Sequence, residues 1–157
     1  MSILKFVNGC HRSLIQMQDY LLDEKKTIPE MTFGIGINRD YPAEQMSLVQ
    51  KYYYAANLIN PYKQIIFSFD RGIYLSSFEY FQISYEIGKC LLTDKRQLFG
   101  AIHLNDPEKV HCHYMINWIS IDGKYWRQEK SLYLIKKKVD KILLDHGLRP
   151  ILIDPNY

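Results

Sequence analysis

The stretch Leu98–Ser120, LFGAIHLNDPEKVHCHYMINWIS, decides how this chain folds. It contains two apolar runs, Leu98–Leu104 and Val110–Ser120, which are joined by the polar, proline-containing segment Asn105–Lys109. Two strand-like runs that are separated by a short turn-rich segment are typical of an antiparallel hairpin. The sequence therefore predicts a pair of neighbouring strands at the centre of a β-sheet.

Three histidines fall on this predicted hairpin. Side chains at positions i and i+2 of a strand point to the same face, so His111 and His113 should project together while Cys112 turns into the opposite, apolar layer. His103 lies close to the turn on the preceding strand, where hairpin pairing can bring it across from that pair. A lone His-x-His pair is more often ordinary polar surface, but a third histidine within reach favours a metal site with open positions for solvent or a phosphate.

The ligand type narrows the choice of metal. An all-nitrogen set favours Mn²⁺, Co²⁺, Ni²⁺ or Zn²⁺ over Mg²⁺ in affinity, because Mg²⁺ prefers oxygen ligands. Cellular abundance favours Mn²⁺ or Mg²⁺ as the working ion. We therefore expect a divalent metal cofactor, with Mn²⁺ or Mg²⁺ in function and Zn²⁺, Ni²⁺ or Co²⁺ as further candidates.

The rest of the chain alternates strand-like and helix-like segments. The second helix should bury Met46, Val49 and Tyr53, and the third should bury a stripe of Phe78, Phe81 and Tyr85. This order predicts an α+β fold, an antiparallel central β-sheet with helices packed on it, with residues 1–157 forming one domain. Besides the hairpin, we expect strands at Ile3–Val7, Phe33–Ile37, Tyr62–Phe69 and Ile151–Ile153, a first helix capped by Ser13, and further helices at Ala43–Leu58, Ser76–Leu92 and about Glu129–His146.

Composition narrows the class of protein. Of 157 residues, 47% are apolar and 24% are charged, which is ordinary for a globular domain. The three cysteines are widely spaced and contain no CxxC pair, which favours a reducing compartment. No segment resembles a signal peptide or approaches the roughly 20 apolar residues of a membrane span, so we expect a cytoplasmic protein without a membrane partner.

The hairpin resembles the three-histidine motif of plasmid mobilisation relaxases, which are HUH endonucleases (His, hydrophobic residue, His). In that family the first histidine ends one strand, the pair lies on the next strand, and a small polar residue follows four positions later. His103, His111, His113 and Asn117 match this pattern, with Asn117 in a supporting role. The segment DYLLDEKKT at 19–27 resembles the family's tyrosine motif, and IIFSF at 65–69 resembles its central strand.

This resemblance implies a reaction and a set of partners. Tyr20 would attack a phosphodiester of single-stranded DNA at an origin of transfer and form a 5′-phosphotyrosine link, as conjugative mobilisation requires. Asp19 and Asp106 are candidates for the carboxylate that supports a metal-ligating histidine in some members. An accessory relaxosome protein is a possible further partner.

Basic and aromatic residues provide candidate DNA contacts. Lys25 and Lys26 adjoin Tyr20 in the sequence, and Tyr125 and Trp126 could stack on unpaired bases. Net charge is only +3, so these predictions depend on where the cations lie. The further candidates are Lys124, Arg127, Lys130, Lys136, Lys137, Lys138 and Lys141.

Two alternatives remain open. The first is another HUH activity, either rolling-circle replication initiation or single-strand transposition. Replication initiators commonly carry the tyrosine on a late helix, where this chain has Tyr133. The second is a non-catalytic remnant that only holds origin DNA.

Overall fold

The computed structural model describes residues 1–55, 57–128 and 131–151. Five strands form one sheet in the order β1-β3-β5-β4-β2, and every neighbouring pair is antiparallel. The predicted α+β fold is confirmed. In chain order the elements are β1 Ile3–Phe6, α1 Leu14–Leu21, a 3₁₀ turn Pro29–Met31, β2 Thr32–Ile35, α2 Pro42–Tyr52, β3 Tyr62–Ser68, α3 Ser77–Leu91, β4 Leu98–His103, β5 His111–Asn117 and α4 Leu132–Asp145.

The predicted hairpin forms the middle of the sheet. β5 is the central strand, and it pairs with β4 on one side and with β3 on the other. Within the connecting turn, the Asp106 carboxylate accepts a hydrogen bond from the Glu108 amide at 3.0 Å, and the Asp106 carbonyl accepts one from Lys109 at 2.9 Å. The register places His103 directly opposite His111, as the sequence predicted.

Each face of the sheet carries two helices. α3 and α4 cover one face and enclose the larger core, which includes the fully buried side chains of Phe67, Cys112 and Tyr114. α1 and α2 cover the other face through a smaller core around Met17, Met46 and Met115. Because β5 alternates between the faces, its odd-numbered residues, the histidines among them, lie on the α1–α2 side.

The inward stripe predicted for α3 is wrong. Phe78 is 72% exposed, and the buried face of α3 is instead formed by Tyr80, Ile83, Ile87 and Leu91. Phe81 and Tyr85 are only partly buried, where they contact Phe33 at the rim of the core. Aromatic residues at helical spacing occur on both sides of this helix, so periodicity alone could not select the buried side.

Helix ends also differ from the sequence prediction. α2 ends at Tyr52 rather than Leu58, because Tyr54 has a left-handed backbone (φ 56°) that a helix cannot continue through. α4 begins at Leu132 after the Ser131 cap, and the predicted start at Glu129 lies outside the described residues. Of the predicted last strand, Ile151 lies in a bend, and residues 152 and 153 lie outside the described residues. Among the helices that the structure describes, none is long and apolar enough to cross a membrane.

Candidate active site

The three hairpin histidines converge on the α1–α2 face of the sheet. Pairwise ring-centroid distances are 5.2 Å for His103–His111, 4.4 Å for His103–His113 and 4.9 Å for His111–His113. One ring nitrogen from each lies within 4.8 Å of the others. Cross-strand pairing of β4 with β5, together with the two-residue repeat of β5, is sufficient to bring them together.

Backbone carbonyls orient two of the rings. His103 donates from Nε2 to the Leu21 carbonyl at 3.0 Å, and His111 donates from Nδ1 to the Lys109 carbonyl at 2.7 Å. A carbonyl can only accept, so the bonded ring nitrogens carry the protons. The lone pairs are therefore left on Nδ1 of His103 and Nε2 of His111, which is the arrangement that a metal-ligating histidine needs.

His113 is the most deeply enclosed of the three. Its Nδ1 lies 3.0 Å from the Gln64 side-chain nitrogen, and its Nε2 is buried without a hydrogen-bond partner among the described residues. Burial, followed by the charges of His103, His111 and Lys26, lowers the pKa of His113 to about 2. Burial also lowers the pKa of His103. Both rings are thus held neutral, which is the form that binds metals.

These residues fit a divalent metal ion. The set consists of three imidazoles, and the buried Nε2 of His113 has no hydrogen-bond partner in the part of the chain that the structure describes. Three protein ligands leave coordination positions free, as in catalytic rather than structural sites. Asp19 and Asp106 were the candidates for a carboxylate that supports a metal-ligating histidine. The hydrogen bonds of the three rings instead go to the Leu21 carbonyl, the Lys109 carbonyl and the Gln64 side chain. Asp106 lines the cleft, and Asp19 is exposed at the surface of α1.

Tyr20 lies in the last turn of α1 and faces the histidines. Its ring centroid is 5.8 Å from that of His113 and 6.2 Å from that of His103. Two cations lie over the ring, since the Arg12 guanidinium carbon and the Lys26 Nζ are each 4.3 Å from the ring centroid. The Leu21 carbonyl that holds His103 belongs to the next residue, so one hydrogen bond ties the tyrosine helix to the histidine cluster.

Tyr20, His111 and His113 line one open cleft of about 650 Å³. Two cations at this cleft, Arg71 and Lys109, were not predicted from the sequence. Lys109 precedes His111 by two residues, and that strand-like spacing could have indicated it. No comparable signal marks Arg71, Arg12 or Gln64, which reach the site from separate segments of the chain.

The predicted DNA contacts divide into two groups. Lys26 lies at Tyr20, and Lys25 is exposed in the same turn. Lys124 and Arg127 line a separate depression beyond the Asn117 end of β5. Six residue steps separate His111 from Asn117, about 20 Å along the strand. The lysines of α4 belong to a helix that packs on the opposite face of the sheet, and Lys130 lies outside the described residues.

Asn117 does not reach the metal cluster, so the supporting role expected for it is structural. Its side-chain oxygen accepts hydrogen bonds from Gln50 at 2.9 Å and from the Ile119 amide at 3.1 Å. Its side-chain nitrogen donates to the Met46 carbonyl at 3.2 Å and to Gln97 at 2.9 Å. Fully buried and fully satisfied, this amide fastens α2 to the far end of β5.

Comparison with known proteins identifies the class. Residues 20–148 match the family described as "Relaxase: MobA/VirD2-like, nuclease domain", so the chain belongs to that family. It is therefore a relaxase, an endonuclease and strand transferase that binds single-stranded DNA and serves mobilisation. Tyr20 is the first residue of the matched region.

One solved structure has the same fold. Its description reads "Molecular Basis of Vancomycin Resistance Transfer in Staphylococcus aureus". It aligns with this chain with a TM-score of 0.55 and 13% sequence identity, over 94% of each chain. At that identity the likeness supports the fold alone. No curated protein matches this chain at a significant level.

Proposed function

We propose that this relaxase nicks single-stranded DNA at an origin of transfer, with Tyr20 as the nucleophile and a 5′-phosphotyrosine adduct as the product. The observation that carries the proposal is the position of the Tyr20 ring, 5.8 Å from His113 in the same open cleft. The half-buried Tyr20 ring also packs against the core around Met17 and Leu21, but unlike those two fully buried side chains it faces the histidines in the open cleft.

The three histidines would hold the divalent ion, with Mn²⁺ or Mg²⁺ proposed as the working metal. When bound, such an ion neutralises charge on the non-bridging oxygens of a phosphate. Arg12 and Lys26 both contact the tyrosine ring and would place two positive charges beside the reacting phosphate. Arg71 and Lys109 add positive charge around the same cleft, where the DNA backbone must enter.

The bonds balance without any further reagent. The Tyr20 oxygen forms a bond to phosphorus and its hydroxyl proton leaves, while the bond from phosphorus to the 3′ oxygen breaks and that oxygen takes a proton. One phosphodiester is exchanged for another, so a 3′-hydroxyl can later attack the adduct and rejoin the strand. Rejoining is what distinguishes a strand transferase from a hydrolytic nuclease.

The position of Tyr20 favours this assignment over the other HUH activities. Tyr133, the tyrosine of the last helix, lies on α4, which packs on the opposite face of the sheet from the histidines. Tyr52, Tyr53 and Tyr54 lie at the end of α2, away from the cleft. The non-catalytic alternative is disfavoured because a binding remnant needs neither an unsatisfied histidine nitrogen nor a tyrosine facing it.

Capture of the adduct tests the proposal directly. The protein is incubated with Mn²⁺ and a library of single-stranded oligonucleotides with randomised centres, and SDS-resistant complexes are isolated. We expect a covalent adduct that depends on Mn²⁺ and is lost with EDTA. Peptide mapping should place the nucleotide on Tyr20, and sequencing of the captured DNA should identify the cleaved site. An adduct on Tyr133 would instead support the initiator-like alternative.

The biological setting extends the same proposal. We propose that the chain acts in the cytoplasm as a single nuclease domain and that an accessory protein helps present the origin DNA. Co-purification of the tagged protein from cells that carry a mobilisable plasmid should recover that DNA. Recovery of the DNA without any second protein would argue against the accessory partner.

A further inference from the structure

A series of depressions, linked by shared lining residues, leads from Arg12 at the active site toward the Asn117 end of β5. Arg12, which touches the Tyr20 ring, also lines a depression of about 620 Å³ between the start of α1 and α2. Lys51 and Leu58 are shared between this depression and a second one of about 410 Å³. Tyr125 is shared between the second and a third of about 440 Å³. We call this series the flank groove.

The side chains of the flank groove suit an unpaired polyanion. Arg12, Lys51 and Lys124 supply positive charge along its length. Of its two acidic residues, Asp94 already pairs with Arg96 at 2.8 Å, which leaves Glu44 as the other carboxylate among the described lining residues. Positive charge spaced along a groove is the electrostatic pattern that tracks a nucleic-acid backbone.

Two aromatic rings are displayed in the middle of the groove. Tyr54 is 98% exposed and Tyr125 is 61% exposed, and both line the second depression. Tyr54 also adopts a left-handed backbone, which costs a non-glycine residue on the order of 1 kcal/mol. The left-handed backbone ends α2 at this point, but burial does not explain the exposed ring, whereas stacking on a base does.

The segments that carry these rings are fixed to each other. The Tyr53 hydroxyl donates to the Ile121 carbonyl at 2.6 Å, which joins the end of α2 to the loop that carries Tyr125. Gly123 makes this contact possible, since a Cβ there would lie 2.7 Å from the Tyr53 ring. The two exposed tyrosines are therefore presented from anchored segments, and the loss of entropy on binding a strand is smaller for that reason.

We propose that the flank groove binds the unpaired nucleotides next to the scissile phosphate, with bases stacked on Tyr54 and Tyr125 and phosphates placed near Arg12, Lys51 and Lys124. The proposal rests on the proposed nicking at Tyr20 and extends the DNA site away from it. β5 spans about 20 Å from His111 at the metal cluster to Asn117, the end of the strand toward which the groove leads. That distance holds about six nucleotides at the stacked spacing of roughly 3.4 Å per phosphate, and fewer when the strand is extended.

The test uses fluorescein-labelled oligo-dT of 4, 8, 12 and 20 nucleotides, with affinity measured by anisotropy in EDTA so that no cleavage occurs. Affinity should rise with length until the groove is filled. Tyr54→Ala and Tyr125→Ala should each weaken dT20 binding by about 5- to 100-fold, with the loss growing from dT4 to dT20. Tyr133→Ala is the matched control, because Tyr133 is 57% exposed on the other face of the sheet, and it should follow the wild type.

The outcomes separate this proposal from the nicking itself. If both variants bind every oligonucleotide as tightly as the wild type does, the flank groove is wrong, whether or not Tyr20 forms an adduct. If Tyr133→Ala weakens dT20 as much as they do, the effect is unspecific and the proposal is also wrong. Selective, length-dependent loss supports the groove even if adduct capture on the randomised library fails, and that failure would count against the Tyr20 chemistry alone.

Discussion

Replacing Gln64 should weaken metal binding at a site it does not ligate. In the structure its side-chain amide lies 3.0 Å from Nδ1 of His113. Rotation about the last side-chain bond presents the amide oxygen instead of the nitrogen. The oxygen would accept the Nδ1 proton and leave the buried Nε2 lone pair for a metal. Gln64 is thus a positioning residue that selects the ligating tautomer of His113.

The magnitude follows from what Gln64→Leu leaves behind. In the metal-binding tautomer the Nδ1–H of His113 would lose its partner in a partly buried position, at a cost of about 1–3 kcal/mol. Partners of metal-ligating histidines generally contribute about 10- to 100-fold in metal affinity, which is the same range. Gln64→Glu restores an acceptor and adds a negative charge, so it should bind Mn²⁺ at least as tightly as the wild type does.

Calorimetric titration with Mn²⁺ measures these affinities, and thermal unfolding in EDTA reports any change in the fold. Gln82→Leu, the same substitution at an exposed position of α3, is the matched control. Wild-type Mn²⁺ affinity in Gln64→Leu would refute the reasoning. Equal weakening by Leu and Glu, accompanied by equal loss of stability in EDTA, would show that Gln64 only supports the fold.

Three further predictions concern the nucleophile, the buried histidines and the cations. Tyr20→Phe should abolish the covalent adduct while Mn²⁺ binding, DNA binding and stability stay within about 0.5 kcal/mol of the wild type, and the control Tyr133→Phe should still form the adduct. If Tyr20→Phe cleaves DNA and forms an adduct, another tyrosine is the nucleophile. If it cleaves DNA without an adduct, water is the nucleophile. The metal-free protein should lose stability as pH falls below about 6.5, by up to about 1.4 kcal/mol per pH unit for each buried histidine, because the unfolded state binds protons that the folded state, with its lowered pKa values of His113 and His103, does not. Denaturant unfolding at several pH values should show a weaker pH dependence of stability in His113→Gln than in the wild type. An equal pH dependence would contradict this account. Lys26→Gln should flatten the slope of log affinity for single-stranded DNA against log salt concentration by roughly 0.7. The control Lys137→Gln, on α4, should have the same slope as the wild type. A wild-type slope in Lys26→Gln would place Lys26 away from the DNA.

The sequence by itself determined the hairpin and the convergence of its histidines. Both depend on local rules, the two-residue repeat of a strand and the pairing across a short turn, which act within Leu98–Asn117. The N-caps of α1 and α3 also depend on neighbouring residues alone, since Ser13 and Ser76 each form a capping box with the residue three positions later. Tyr20 was predicted by resemblance to a family motif, and its position at the histidines supports that prediction without testing its chemistry.

Only the tertiary structure decided which other residues join the site and which do not. Gln64 meets His113 because β3 pairs with β5, and Arg12, which precedes the cap of α1, meets the Tyr20 ring in the last turn of that helix. Asn117 lies four residues from His113, yet the strand carries it away from the metal cluster and into a structural contact with α2. An extended strand separates neighbours in sequence by about 3.3 Å per residue, while sheet pairing joins segments far apart in the chain. Distance along the sequence therefore predicts proximity to this site only near the turn of the hairpin, where His103 and His111 pair.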